Sequence, residues 1–273
     1  MLEIIKNYND NKRHIYEEPP ITIYDEEYYT HQCGGFEIFV NSGGKELDDS
    51  RQRVLDLYPV QQNFSALDIG CGRGELVFAL AEQGLHYVAG IDLSEDAIHF
   101  AQQTCELNAT GEQVYIQKMS ATELEFEDNT FDVAYMTDIV EHLSDENLKK
   151  AVSEAYRVLK PGGVLVIHTL PTVNFKICGQ YLMKYYLRLR GEDWWTPTSK
   201  EEVSGGHINI HSRESLAAYL HHSFTVKNSN VFYGPVNPGG TLKKLVGWLG
   251  VWTIMSSHLW AIAIKESVSK TTR

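Results

Sequence analysis

The stretch ALDIGCGRGE, residues 66–75, runs from four strand-forming residues into a loop with glycines at 70, 72 and 74, then into an acidic residue. The run that follows, ELVFALAEQ (75–83), has apolar residues at helical spacing and is stopped by Gly84. A strand, a glycine loop and a helix start make a turn whose unpaired amides face a ligand. Two chemistries compete for it. A dinucleotide site is written G-x-G-x-x-G, whereas the spacing here is G-x-G-x-G, one residue short. Asp68 lies two residues before Gly70, and a carboxylate there repels a pyrophosphate. A ligand with an ammonium group as well as a carboxylate suits the loop better. S-adenosylmethionine has both, carries a sulfonium, and has no phosphate. In that reading Gly70 and Gly72 permit close approach and Asp68 selects the cation. Asp92, at the end of the next strand, is placed to accept hydrogen bonds from a ribose diol, a device that dinucleotide sites share.

Working outward, short apolar strands alternate with helices. LDDSRQRVLDLY (47–58) reads as a helix and YVAGID (87–92) as a strand. Ser94 caps SEDAIHFAQQTCELN, with acids in the first turn where the helix dipole favours them. VYIQK (114–118) and FDVAYM (131–136) are strands, and ENLKKAVSEAYRVLK (146–160) is an amphipathic helix ended by Pro161-Gly162-Gly163. VLVIHT (164–169) is the fifth strand; RESLAAYLHH is a helix capped by Ser212; FTVKNSNVFY (224–233) and HLWAIAI (258–264) supply two more strands. This alternation argues for an α/β fold, a parallel sheet covered by helices on both faces.

Four blocks, ALDIGCGRG, GIDLSEDAI, FEDNTFDVAYMTDIVEHL and EAYRVLKPGGVLVIHT, together resemble the class I S-adenosylmethionine-dependent methyltransferases. The similarity is to the small-molecule group that includes the ubiquinone and menaquinone methyltransferases. It covers residues 47–169 in motifs and 205–265 in layout. The resemblance implies a Rossmann-like seven-stranded sheet in order 3-2-1-4-5-7-6 with the last strand antiparallel. It also places Asp68, Gly70, Cys71 and Gly72 around the methionine moiety, Asp92 on the ribose and Leu93 against the adenine. Ser120 and Ala121 fall at the adenine edge, where the family usually has an aspartate at the first position. Thr137, Asp138 and Ile139 close the other side of the cofactor.

The organisation expected is an N-terminal lid or surface-docked extension over 1–46, irregular and tyrosine-rich. A cofactor-binding core (47–170), a substrate-site insertion (171–212) and the C-terminal part of the core sheet (213–273) follow. A late insertion in a wound sheet tends to sit over the carboxyl ends of the strands, where ligands bind.

Methyl transfer to a hydroxyl gains from a general base. His142, in DIVEHL, reads either as that base or as a structural histidine at a helix start. His168, near the end of the fifth strand, is a second base or orienting residue. Acceptor contacts are expected from Tyr28 and from His207, Asn209 and His211 in GGHINIHS. Trp194 and Trp195 form either an aromatic wall with Tyr185 and Tyr186 or the insertion's own core. His207 and His211 stand four apart without an evident third ligand, so no metal is expected.

The net charge of −12 argues against nucleic acid as a partner. The cysteines, at 33, 71, 105 and 178, have no CxxC spacing, and the start MLEIIKNYNDNK lacks a signal-peptide core, so a reduced, cytoplasmic chain is expected. LVGWLGVWTIMSSHLWAIAI (245–264) has no formal charge, but its middle is polar. It reads as a buried or amphipathic helix followed by a strand, and membrane attachment is not expected. The expected function is a methyltransferase acting on a small-molecule acceptor, with O-methylation of a secondary metabolite or glycan sugar foremost. Methylation of an amine is the alternative. A non-catalytic S-adenosylmethionine-binding protein and a nicotinamide-dependent oxidoreductase are the readings from other classes.

Overall fold

The computed structural model describes residues 18–108, 111–189, 207–234 and 256–267. Seven strands form one sheet: β1 Ser65–Ile69, β2 Tyr87–Asp92, β3 Val114–Lys118, β4 Phe131–Thr137, β5 Leu159–Thr169, β6 Ser229–Tyr233 and β7 Leu259–Ile264. Their order is β3-β2-β1-β4-β5-β7-β6, with β7 antiparallel to both neighbours, the topology that the resemblance implies. The central strands β1 and β4 are buried along nearly their whole length, which is why they read as continuous apolar runs.

Helices cover both faces. On one side α2 (Asp49–Leu57), α3 (Glu75–Glu82) and α4 (Glu95–Leu107) pack Val54, Leu76, Leu80 and Ala101 against Ala66, Val88, Val133 and Val166. On the other, α5 (Asp145–Val158) and α7 (Arg213–Leu220) pack Leu148, Val152 and Leu216 against Leu67, Ala134, Leu165 and Ala261. The shorter α1 (Phe36–Ser42) belongs to the N-terminal segment and α6 (Gln180–Leu189) to the insertion. Four helix starts are capped: Ser94 and Ser212, as expected, and also Asp48 and Ser144 each accept a backbone N–H from the first turn.

The strand expected over 224–233 begins only at Ser229, after a single helical turn at Val226–Asn228. Two further elements differ from expectation. The Pro161-Gly162-Gly163 group does not separate α5 from β5; the helix ends at Val158 and the strand starts at Leu159. The pairing jumps from Phe131↔Leu159 to Val133↔Val164, so these residues bulge out of β5. Gly162 takes φ +85° and Lys265 closes the bulge, accepting from Gly162 N–H and donating to Gly163 O at 2.9 Å each. The second difference is the segment 18–44. It is helical rather than irregular, with single turns at Ile21–Ile23 and Tyr28–Gln32 before α1.

Arg73, inside the glycine loop, ties that segment to the core. It is 1 % exposed. Its Nε and Nη2 donate to Glu75 Oε1 at 2.9 and 2.8 Å, Nη1 to Tyr29 O at 2.7 Å, and Nη2 also to Gly34 O at 2.7 Å. Phe36 and Phe39 lie over the guanidinium at 5.8 and 5.1 Å. Replacing Arg73 by Leu strands Glu75 in the interior, and breaking a buried pair costs about 3–5 kcal/mol. Urea denaturation is expected to show a loss of that size. Native-state hydrogen exchange is expected to rise over residues 28–42 while the amides of β1 and β4 stay protected.

Candidate functional site

The carboxyl ends of β1, β2 and β4 open into a cavity of about 190 Å³. Its floor is the loop after β1, with Gly70 and Gly72. One wall is Ile91, Asp92 and Leu93 with Met119–Thr122, and the other is Thr137–Ile139 with His142 and Leu143. The roof is the N-terminal segment: Glu18, Pro19, Ile21, Tyr24, Tyr28 and Tyr29. Arg51 of α2 enters at the loop end.

The loop is pinned from below. Gly70 and Cys71 N–H both donate to Ile91 O, at 2.8 and 2.9 Å. Gly70, at φ +78°, turns the chain in a conformation that an L side chain resists, and an added Cβ would meet Ile139 Cδ1 at 2.8 Å. Asp92 anchors both sides of the cleft through Gly72 N–H to Oδ2 at 3.1 Å and Ser94 N–H to Oδ1 at 3.0 Å. Gly72 N–H is therefore engaged by protein. Asp68 and Cys71 are buried just beneath the loop and do not themselves line the cavity. Burial pushes the Asp68 carboxyl up to about 7; Arg51 opposes that, while Asp92 and Glu75 add to it.

The roof is latched to the β4 side. Tyr24 Oη lies 3.0 Å from His142 Nδ1, with the rings edge to face at 5.5 Å. Tyr28 packs edge-on to both. Burial, with Glu141 and Asp92 nearby, pushes the Tyr24 phenol well above its ordinary value, so it keeps its proton, and the tautomer of His142 sets which of the two groups donates. Glu18 closes the mouth by accepting from Ser144 N–H at 2.6 Å and from the Asn147 side chain. Ser94 Oγ donates to Tyr24 O at 2.5 Å.

Of the residues expected at the site, Gly70, Gly72, Asp92, Leu93, Ser120, Ala121, Thr137, Asp138, Ile139, His142 and Tyr28 line this one cavity. His168 does not reach it. It is fully buried behind Asp138, with Nδ1 2.6 Å from Asp138 Oδ1, so it cannot serve as a base touching an acceptor. His207 comes beside His142, ring centroids 4.9 Å apart. Asn209 and His211 are turned inward instead of toward an acceptor. Asn209 donates to Leu143 O at 3.1 Å, and His211, 1 % exposed, packs edge-on to Tyr219. Both serve to hold the 140–145 loop, whose Glu141 O accepts from Ile208 and Asn209 N–H. Trp194 and Trp195 lie outside the described residues.

The set that could hold a metal is also not the pair weighed in the sequence: Glu141, His142 and His207 offer ligand atoms within 4.8 Å of one another. Glu141 was invisible to that reading because its side chain turns inward, accepting from Thr169 Oγ1 at 2.8 Å. Sequence reading also missed Tyr24, although it belongs to the tyrosine-rich tract, and Arg51, which looks like any surface arginine of an amphipathic helix.

A sheet of this order with a cleft over β1, β2 and β4 defines a Rossmann-like methyltransferase fold. Residues 67–167 match the family described as "Methyltransferase domain", so this segment is a class I S-adenosylmethionine-dependent methyltransferase domain. Among the relatives, phosphoethanolamine N-methyltransferase 3 of Arabidopsis thaliana is 38 % identical over 165 residues, 58 % of this chain and 30 % of that one. Demethylmenaquinone methyltransferase of Lactiplantibacillus plantarum is 34 % identical over 118 residues, 42 % of this chain and 49 % of that one. The alignment thus spans half or less of either relative. A solved structure of Haemonchus contortus phosphoethanolamine N-methyltransferase 2 with S-adenosyl-L-methionine superposes with a TM-score of 0.57 at 20 % identity, covering 95 % of this chain and 60 % of that one. Among the described residues no helix is long and apolar enough to cross a membrane.

A folded-state value near 7 for Asp68 against an ordinary carboxylate value of 3.8 means that folding favours its protonated form. Its contribution to stability is present below pH 3.8 and is lost as pH rises through 7. In the ligand-free protein, Asp68→Asn is expected to remove that decline. Thermal melts of both proteins from pH 5 to 8 check it: the gap in Tm should widen in favour of the variant as pH rises.

Proposed function

We propose that this chain transfers a methyl group from S-adenosylmethionine to a small-molecule hydroxyl. The observation that carries the reading is the cavity over β1, β2 and β4, acid-lined and glycine-floored, whose tyrosine roof is hydrogen-bonded to His142. The amino-acid end of the cofactor needs an anion and a cation at the loop. Arg51 lines the cavity as the cation, and Asp68, buried beneath Gly70, faces the ammonium through the loop, the incoming positive charge favouring its ionised form. Asp92, oriented by the backbone amides of Gly72, Leu93 and Ser94 and by the Tyr29 hydroxyl, is the acceptor for the ribose hydroxyls. Leu93, Ser120 and Ala121 make the adenine slot, and Thr137, Asp138 and Ile139 the opposite wall. The serine at 120 cannot accept from an adenine amine as strongly as a carboxylate would.

The sulfonium supplies an already activated methyl group, displaced in line. The protein's work is then positioning, exclusion of water by the Tyr24–Tyr28 roof, and removal of one proton. In this reading His142 carries its proton on Nε2, Tyr24 donates to Nδ1, and the path for that proton runs from the acceptor to Tyr24 Oη as the phenol's own proton passes to Nδ1. Tyr24 and His142 thus act as one unit. A second reading, methylation of an amine, is favoured by the phosphoethanolamine N-methyltransferases among the relatives. An ammonium must also lose a proton before it attacks, so the same unit serves.

Calorimetry is expected to show S-adenosylmethionine binding and no heat with NAD; NAD binding without a response to S-adenosylmethionine overturns the reading. In transfer assays with labelled S-adenosylmethionine, catechol and phosphoethanolamine separate the hydroxyl from the amine class. Tyr24→Phe and His142→Ala are each expected to lower kcat by about 10²–10⁴, the usual worth of general-base assistance. The double variant is expected to lose no more than the worse single one, the signature of residues acting together.

A further inference from the structure

Behind Asp138 in the cleft wall lies a buried histidine pair, His168 and His258, that neither the cofactor nor the Tyr24–His142 unit uses. His168 Nδ1 is 2.6 Å from Asp138 Oδ1, and His168 Nε2 is 2.9 Å from His258 Nδ1. The first group ends β4, the second is near the end of β5, and the third precedes β7, so three neighbouring elements of the sheet converge on it. The three rings cluster, His168 4.1 Å from Trp260 and 5.2 Å from His258, with His258 6.0 Å from Trp260. His168 Nδ1 lies at ion-pair distance from the carboxylate, and Nε2 is hydrogen-bonded to His258 Nδ1, so the one imidazole bridges Asp138 and His258.

Asp138 itself is strained. It takes φ +56°, a region that residues other than glycine seldom enter, and its N–H donates to His168 O at 3.1 Å. Such a backbone persists only where its surroundings enforce it, and it clusters at functional sites. Sheet stability does not demand this arrangement, since apolar side chains of similar volume pack as well or better than buried polar chains. The far end of this arrangement, Asp138, lines the cavity beside Ile139 and His142.

We propose that His168 and His258 are positioning residues, a relay that aims the Asp138 carboxylate into the cleft and keeps it ionised to orient the N–H or O–H of the methyl acceptor. Burial alone would push Asp138 up; the facing His168, with Arg51 and His258 behind it, pulls it down to about 2. Burial and His168 hold His258 down at about 4, which keeps it neutral in ordinary buffers and able to share its proton. The other titratable groups that feel this carboxylate are Glu141, His207, Tyr28 and Cys33, and Glu141 is pushed up in turn.

The role of Asp138 toward an acceptor rests on the methyl-transfer reading; the relay does not. Carboxyl-selective carbon NMR of the full chain, with Asp138→Asn to assign the signal, is the first test. The Asp138 carboxyl is expected to titrate below pH 3 in the wild type and to move up by at least one unit in His168→Asn. In His258→Asn it should move in the same direction by less. An unmoved titration in both folded variants overturns the relay. If His168→Asn fails to fold, His258→Asn and His258→Phe, at the outer end, decide: asparagine can keep a hydrogen bond to His168, phenylalanine only the stack.

The second test reads transfer to catechol and phosphoethanolamine. His258→Phe is expected to lower kcat at least tenfold at saturating acceptor, with S-adenosylhomocysteine affinity unchanged and partial rescue in His258→Asn. An equal loss of cofactor affinity and kcat, or no loss, overturns the positioning role. Methylation of neither probe by the wild type counts against the function proposed above and leaves the titration result to judge the relay.

Discussion

The guanidinium of Arg73 sits where no water reaches it, and the placement of the roof follows from that. Five N–H groups in a rigid fork require acceptors in several directions at once. Glu75 supplies one, and the carbonyls of Tyr29 and Gly34 supply others. Those carbonyls belong to a segment in which only Tyr29 and Gly44 are fully buried. The glycine loop therefore anchors its own cover, through charge and hydrogen bonding, with Phe36 and Phe39 completing the enclosure. Once Tyr29 is held, Tyr24 and Tyr28 can only fall across the mouth of the cleft.

The cleft is a site of concentrated negative charge in a chain that is acidic overall. Asp68, Asp92 and Asp138 end three adjacent parallel strands, because residues at the carboxyl ends of such strands converge on one edge of the sheet. Each acid has its own environment. Asp92 is held by backbone amides, Asp138 by an imidazole, and Asp68 by little besides the field of Arg51. Those surroundings separate their protonation behaviour, and so one edge can present acids of different character.

The core was legible from sequence because its signal is local. ALDI, YVAGID and FDVAYM are short, apolar and bounded by turn residues, and burial on both faces demands that pattern. The Pro161-Gly162-Gly163 group was misplaced because its residues are turn formers anywhere, and only pairing with β4 and Lys265 makes them a bulge within a strand. The 18–44 segment looked irregular because its helical turns are short and lack an apolar stripe. Its order comes from contacts with Arg73, Ser94 and His142, all distant in sequence. The GGHINIHS stretch carries three polar side chains that look alike on paper. Folding sends His207 to the cleft and turns Asn209 and His211 inward.

By itself the sequence determined the class of fold, the glycine loop and the acids that flank it, since each depends on residue type and spacing within one strand–turn–helix unit. The tertiary structure alone decided which polar side chains meet. Tyr24 with His142, Arg73 with the roof, and Asp138 with His168 and His258 join elements that are far apart along the chain. Such pairings are written in no local pattern, because a hydrogen bond of 3 Å between strands depends on sheet order and register, which form only when the whole sheet closes.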